Sequence, residues 1–260
     1  EARELVCCAA GKSREQFYRD MALYASDPVE EKLAELLERR LAGEPVAYLI
    51  GEWEFYGLPL DISESVLIPR PDTETLVDHV VAWLRPLPEC RVLDLCAGSG
   101  CVGLAVAANV PGCRVVLADV SEAALRLCKQ NVRRNELNAR VTCIQADARE
   151  VPPPALWDFD VIASNPPYIP SWEIEGLDPS VRDYEPRSAL DGGADGLDFY
   201  RAIAARWGAA LRLGGALLFE VGIGQAGDVG AILAQNQFEQ IQTFQDTQGI
   251  GRVVEGVLNS

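Results

Sequence analysis

An open, doubly wound α/β sheet, seven strands wide and mostly parallel, is the fold that this 260-residue sequence predicts. Three observations carry that expectation. From residue 91 to residue 234, short β-branched runs alternate with stretches of helical apolar period. A glycine-rich turn comes directly after the first run, Val92-Leu93-Asp94-Leu95. The chain then closes on two strand-like runs separated by Gly249 and Gly251, which read as an antiparallel hairpin on the sheet edge. A composition of 48% apolar and 24% charged residues suits one large domain with a small appendage, and excludes a disordered, collagenous or coiled-coil chain.

Ahead of the sheet, residues 1–43 read as a small helical domain. Ser13 caps a helix over 14–25. After Pro28 the residues Val29, Leu33, Leu36 and Leu37 recur at helical spacing until Gly43 and Pro45 stop them. Two short helices cannot hold a core of their own, so the unit packs on the larger domain and offers a candidate docking surface for a substrate. Residues 44–71 form a β-hairpin linker, in which Tyr48, Ile50, Trp53, Phe55, Leu58, Leu60 and Ile62 take up an extended period punctuated by Gly51 and Gly57. The remaining domain spans 72–260, and Asp72 or Thr73 caps its first helix, which runs to about Leu84. Strands then fall at 91–95, 114–118, 141–145, 160–164, 216–221, 239–244 and 252–258. Helices fall at 101–109, 122–135, 197–211 and 225–234, with an irregular stretch from 166 to 196.

Charge and cysteine usage narrow the function classes. Lys and Arg number 23 against 39 Asp and Glu, a net −16. Such a field repels phosphate backbones, and no basic cluster exceeds the helix pairs Arg39-Arg40 and Arg133-Arg134, so direct nucleic-acid binding is not expected. Solubility alone accounts for the total equally well. The longest apolar stretches are broken by Arg or Gly well short of the ~20 residues of a membrane span, and no signal-peptide pattern opens the sequence. The 8 cysteines include no CxxC pair and the only histidine is His79, which excludes the usual zinc spacings. Reduced structural thiols and a cytoplasmic location are the expectation from that pattern. His79 reads as a structural residue on a helix face.

Two motifs carry chemistry. In Asp94-Leu95-Cys96-Ala97-Gly98-Ser99-Gly100-Cys101-Val102-Gly103 a strand enters a glycine turn and then a helix, whose free N–H groups suit an anion. Asp119, at the end of the next strand, is placed to accept hydrogen bonds from the ribose hydroxyls of an adenosine. This much fits a nicotinamide dinucleotide as well as S-adenosylmethionine. The second motif, Asn165-Pro166-Pro167-Tyr168, comes after the fourth strand, whose end lies beside the first at the crevice of a doubly wound sheet. Pro166 and Pro167 lack N–H groups, so the segment presents acceptors without competing donors. The Asn165 side-chain oxygen and the Pro166 carbonyl can together hold the two hydrogens of an –NH₂ group, while Tyr168 offers a flat face to a planar group. A nicotinamide enzyme has no use for this arrangement. Asp147 and Ala148, after the third strand, fall near the adenine by the geometry of the fold.

With these residues the sequence resembles the class I amino-methyltransferases. The resemblance narrows through Pro45-Val46-Ala47-Tyr48-Leu49-Ile50-Gly51, Pro69-Arg70-Pro71-Asp72-Thr73-Glu74, Tyr184-Glu185-Pro186, Ala189-Leu190-Asp191-Gly192-Gly193 and Glu220-Val221-Gly222 with Gln225. Together they look like the HemK/PrmC-type release-factor glutamine methyltransferases, from roughly residue 30 onward. That resemblance implies S-adenosylmethionine as methyl donor, S-adenosylhomocysteine as product, and no metal. It implies as partner and substrate a class 1 peptide chain release factor, methylated on the glutamine of its Gly-Gly-Gln motif. Asn165, Pro166 and Tyr168 then carry catalysis, and with Pro167 they bind the substrate. Cys96, Ala97, Gly98, Ser99, Gly100, Asp119, Asp147, Ala148 and Asn165 bind the cofactor. The segment 69–74 either forms a rigid start to its helix or lines the cofactor's methionine end through Thr73 or Arg70. The sequence departs from the family at Cys96-Ala97, where Gly-Thr is more usual. Ribosomal-protein glutamine methyltransferases and DNA or RNA amino-methyltransferases share the Asn-Pro-Pro-Tyr run and are the alternatives.

Overall fold

A computed structural model describes residues 1–259. The elements run α1 (Ala2–Ala10), α2 (Arg14–Asp20), α3 (Asp27–Leu41), α4 (Val46–Ile50), β1 (Glu52–Phe55), β2 (Leu58–Asp61), α5 (Glu74–Leu84), β3 (Cys90–Leu95), α6 (Cys101–Asn109), β4 (Cys113–Asp119), α7 (Glu122–Arg134), β5 (Val141–Gln145), β6 (Phe159–Ser164), α8 (Pro179–Arg182), α9 (Asp198–Trp207), β7 (Leu211–Glu220), α10 (Ala226–Gln235), β8 (Phe238–Gln245) and β9 (Gly251–Leu258). Among the described residues no helix is long and apolar enough to cross a membrane.

The large sheet has the order β5-β4-β3-β6-β7-β9-β8. The first five of these strands are parallel, and β9 lies antiparallel between β7 and β8. The sheet is therefore the predicted one, down to its closing hairpin. Alternate residues of the central strands feed two cores. Val92, Val115 and Val161 join the layer of α5, α6 and α7, while Leu93, Leu95 and Ile162 join that of α9 and α10. Every residue of β6 is buried, as a central parallel strand covered on both faces requires. The edge strand β8 instead exposes Glu239, Gln240 and Gln242, which blunts it against pairing with another chain. The order reverses at β3: the chain runs out to β5 and returns to β6, with Leu95 opposite Ser164. A crevice opens at such a switch point, above the carboxyl ends of the strands.

The N-terminal region differs from the expectation in three ways. It holds a further helix, α1, closed by Gly11 in the left-handed conformation, and α2 stops at Asp20. Residues 46–50 are helical, not extended. Pro45 and a left-handed Gly51 bound that turn, and Val46 and Leu49 pack with Leu5 and Leu36 into a small core. The apolar residues of 46–50 serve a three-residue spacing that their short run conceals. The linker hairpin itself is present, turning through Tyr56 and Gly57, both at positive φ.

That hairpin is clasped to the sheet domain by α7. Arg134 reaches Glu52 and Asp61, and the Asn135 side chain donates to the Pro59 carbonyl. Asn131 is fully buried. Its Oδ1 accepts the Asp61 N–H at 2.6 Å, and its Nδ2 donates to the carbonyls of Asp61 and Ser99, both at 3.0 Å. One side chain thus joins the hairpin to the glycine turn. Truncating Asn131→Ala strands these backbone groups and is expected to cost about 2 kcal/mol of stability, read as a lowered urea midpoint.

Candidate functional site

A cleft of about 650 Å³ lies at the switch point, lined by residues from the ends of β3, β4, β5 and β6 and from the segments that fold over them. The glycine turn forms its floor. Gly98 and Gly100 take φ of 56° and 83°, and Gly103 lets α6 lie close on β4, since a Cβ there would stand 2.3 Å from Leu117. Cys96 also sits in the left-handed region, at φ 65°, a conformation that costs a side-chain-bearing residue roughly 1 kcal/mol or more. The departure from glycine at this position therefore carries strain. Beneath the turn, the Cys128 thiol donates to the Gly98 carbonyl at 3.2 Å. All eight cysteines are free thiols.

Carboxylates organise the turn. Asp119 accepts the Gly98 N–H on one oxygen and the Ser121 N–H on the other, each at 2.9 Å, and burial raises its pKa. The carboxylate also lines the cleft. Asp94 accepts the Gly103 N–H at 2.8 Å, and its deep burial pushes its pKa up to about 7. Ser99 Oγ is buried with no hydrogen-bond partner among the described residues. Across the cleft Asp147 is held by Arg149, which lowers its pKa, and the Ala148 carbonyl accepts the indole N–H of Trp207 at 2.9 Å.

The Asn-Pro-Pro-Tyr segment is set by the strand pairing below it. The Ser164 hydroxyl donates to the Leu95 carbonyl at 2.6 Å, locking the end of β6 to the start of the glycine turn. Asn165 Nδ2 donates to Thr73 Oγ1 at 3.3 Å, and its Oδ1 takes no donor from the described residues. Pro167 lines the cleft, and the Tyr168 carbonyl accepts from Gln225. Gly222 is needed beside it, because a Cβ there would meet the Tyr168 ring at 3.1 Å. Ser171 bonds Asp191 at 2.5 Å and Ile169 pairs with the Leu190 and Gly192 backbone, so the irregular stretch is tied down on the Asn-Pro-Pro-Tyr run.

Of the residues picked out in the sequence, Thr73, Cys96, Ala97, Gly98, Ser99, Asp119, Asp147, Ala148, Asn165 and Pro167 line the cleft. Gly100, Pro166 and Tyr168 adjoin these residues in the chain but are not themselves part of the lining. Arg70 does not line it either: its guanidinium pairs with the buried Glu185 carboxylate, which also accepts the Ile68 N–H. Asp72 likewise turns away, to Arg252 at 2.8 Å. The 69–74 segment therefore divides between two surroundings. Ion pairs make it rigid, and Thr73 reaches the cleft. Sequence reasoning missed Asp94, quoted in the turn but given no role, together with Arg187 and Phe199 at the rim. The last two carry no motif signal, because only tertiary folding brings their segments over the strand ends. His79 stacks on Phe244 with centroids 3.7 Å apart, away from the cleft lining.

A family model described as PrmC N-terminal domain matches residues 1–51, and one described as Methyltransferase small domain matches residues 71–175. A release factor glutamine methyltransferase of Geobacter sulfurreducens is 45% identical over 85% of this chain and 76% of its own length. The chain belongs to the release factor glutamine methyltransferase family. A second member, from Gloeobacter violaceus, is 45% identical over 86% of this chain and 78% of that protein. A third, from Caulobacter vibrioides, is 36% identical over 100% of this chain and 89% of its own length. Among solved structures, the hMettl16 catalytic domain in complex with MAT2A 3'UTR hairpin 6 superposes with a TM-score of 0.61 at 17% identity, covering 79% of this chain and 77% of that one. A methyltransferase from Pyrococcus furiosus gives 0.56 at 15% identity, over 87% and 100%. At such identities the likeness is one of fold, that of the class I methyltransferases.

The cleft fits the adenosine-bearing methyl donor of such a family. A Ser99 hydroxyl with no partner among the described residues, the Asp119 carboxylate at the lining and the buried Asp94 carboxyl all suit polar groups of a ligand. Asp94 also ties stability to pH. Its carboxyl stays protonated in the fold up to about 7 but ionises from 3.8 when unfolded, so the native state binds the extra proton between those values. Stability from this group is complete below about pH 4 and is lost as pH rises toward 7, by roughly 2–4 kcal/mol. Asp94→Asn keeps an acceptor for Gly103 and removes the titration. Its stability relative to the native sequence is expected to improve from pH 4 to pH 7 in ligand-free urea melts, and to level off above.

Proposed function

We propose that this chain transfers the methyl group of S-adenosylmethionine to the side-chain amide nitrogen of a glutamine, that of the Gly-Gly-Gln motif in class 1 peptide chain release factors. The observation that carries the reading is Asn165 on the lining of the switch-point cleft. Its amide nitrogen is engaged inward by Thr73, its oxygen is unengaged among the described residues, and a proline with no N–H comes next. Family membership supplies the substrate class, and the net charge of −16 agrees with a protein substrate rather than a polyanion.

Bound S-adenosylmethionine supplies an electrophilic methyl on sulfur. In this reading Asp119 holds the ribose hydroxyls, the turn Cys96-Ala97-Gly98-Ser99-Gly100 meets the donor with its backbone, Asp147 and Ala148 border the adenine, and Thr73 walls the methionine end. The glutamine amide nitrogen is a poor nucleophile because its lone pair is delocalised into the carbonyl. Orientation is what the chain can contribute, and aligned reactants gain about 7–11 kcal/mol. Asn165 Oδ1 and the Pro166 carbonyl take the two amide hydrogens and face the positive charge that grows on nitrogen, each such contact worth about 3–4 kcal/mol by analogy with oxyanion holes. Pro167 and Tyr168 pack against the planar amide. No side chain is assigned as base on this reading, and the proton passes to solvent. Neither a metal nor direct contact with nucleic acid has a part in the scheme, the site of action is the cytoplasm, and residues 1–43 add docking surface.

Asp119→Ala is expected to weaken S-adenosylmethionine binding by about 1–3 kcal/mol in calorimetric titration, the range for hydrogen bonds to a charged group. Asn165→Ala is expected to leave that affinity near its native value while cutting single-turnover methyl transfer severely, since its contact falls on the transition state. Labelled-methyl assays on purified release factor, ribosomal protein, DNA and RNA decide the substrate. Label is expected on release factor alone. Label confined to nucleic acid would overturn the proposal, and label confined to the ribosomal protein would move the chain to the neighbouring activity.

A further inference from the structure

Glu220 ends β7, and its carboxyl takes no part in the contacts assigned above. The residue is 2% exposed and does not line the cleft. Its backbone carbonyl accepts the Tyr200 hydroxyl at 2.9 Å, but its carboxylate oxygen Oε2 is buried with no hydrogen-bond partner among the described residues. A buried carboxylate oxygen without a hydrogen bond is rare enough to need a reason. The donors that face the carboxyl are the Thr73 hydroxyl and the Asn165 amide. Arg252 is near as well, yet its guanidinium is already engaged by Asp72 and Asp246. The direction of the bonding comes from counting protons. Thr73 Oγ1 accepts from Asn165 Nδ2, so the single threonine hydrogen is free to go elsewhere, and Glu220 is the acceptor on that side.

We propose that Glu220 is a positioning residue: its carboxylate gathers the Thr73 hydroxyl and the Asn165 amide hydrogens, and so holds Asn165 with Oδ1 rather than Nδ2 toward the substrate nitrogen. The proposal deepens the reading of Asn165 as the group that grips the glutamine amide and rests on it. An asparagine amide has no intrinsic preference between its two ends, and a flipped Asn165 would aim donors at a group that itself donates. A carboxylate behind it breaks that symmetry. Protonated Glu220 loses the effect, because a carboxylic acid can donate to Thr73 and reverse the chain of bonds. Burial pushes the Glu220 pKa up to about 7, with hydrogen bonds from Thr73, the charge of Arg252 and the Asn165 amide opposing and the charge of Asp72 adding to it. Tyr168, Tyr200 and Cys101 also feel the Glu220 charge, and all three stay protonated because their own pKa values are raised. Asp94, whose charge Cys101 also feels, is likewise raised to about 7, but Glu220 is the one of the two that acts on Thr73 and Asn165. The ordered form of Asn165 prevails above about pH 7.

The Asn165 side-chain NH₂ resonances in ¹⁵N-labelled ligand-free protein, assigned by their loss in Asn165→Ser, test this directly. They are expected to move with a midpoint near pH 7 and to stand still in Glu220→Gln, with Glu220→Asp displacing the midpoint. In parallel, single-turnover methylation of release factor at saturating S-adenosylmethionine is expected to slow at least tenfold in Glu220→Gln and to lose its acid limb, with the KM for the cofactor within twofold. Resonances indifferent to pH, or an unaltered titration in both Glu220 variants, would overturn the positioning role whatever the activity. Resonances that titrate as expected in a protein that does not methylate release factor would uphold the positioning role and sink the substrate assignment instead. Should Glu220→Gln fail to fold, the midpoint in Glu220→Asp decides: displaced, it supports the proposal; in place, it refutes it.

Discussion

The parallel pairing of β3 with β6, which sets Leu95 opposite Ser164, is the constraint on which the site depends. One hydrogen bond, from the Ser164 hydroxyl to the Leu95 carbonyl, seals it where both strands end. Beyond that point one strand enters the glycine turn and the other enters Asn165 and its prolines. A register slip of one residue would swap the faces of every side chain on β6 and carry Asn165 away from the cleft. Burial enforces the register, because both faces of β6 lie inside the core and neither tolerates a polar residue out of place.

Around that junction, the structure places ionisable groups where water does not reach. Asp94, Glu185 and Glu220 are each 5% exposed or less, and burial raises the pKa of all three. Glu185 is compensated by Arg70 and a backbone N–H, and its cost is turned into rigidity of the 69–74 segment. Asp94 and Glu220 are compensated only in part. Asp94 and the left-handed Cys96 concentrate unfavourable free energy at the cleft, where a ligand that pairs with the chain can recover some of it.

Long-range pairs also explain why motifs far apart in sequence act as one unit. Arg70 meets Glu185 and Asp72 meets Arg252, so the start of α5, the irregular stretch and β9 are cross-linked behind Thr73. Asn131 does the same on the other flank, joining the linker hairpin to Ser99 of the glycine turn. These are exchanges of buried or half-buried polar groups. Each constrains a wall of the cleft without touching what it holds.

The sequence by itself determined the doubly wound sheet, its closing hairpin, the glycine turn with Asp119, and the asparagine of the Asn-Pro-Pro-Tyr run. Those features are local: alternating periods, glycines at fixed offsets and prolines without N–H groups declare themselves within a dozen residues. The short runs were less legible. Residues 46–50 are too few to show a helical period, and α1 buries only Leu5 in the core. What tertiary structure alone decided is the partner of each polar side chain. Arg70 could have reached a ligand or an acid, and the Glu185 carboxylate, 115 residues along the chain, took it. Thr73 became the support of Asn165, 92 residues away, for the same reason: burial removes water as the alternative partner, and the groups left facing one another must bond.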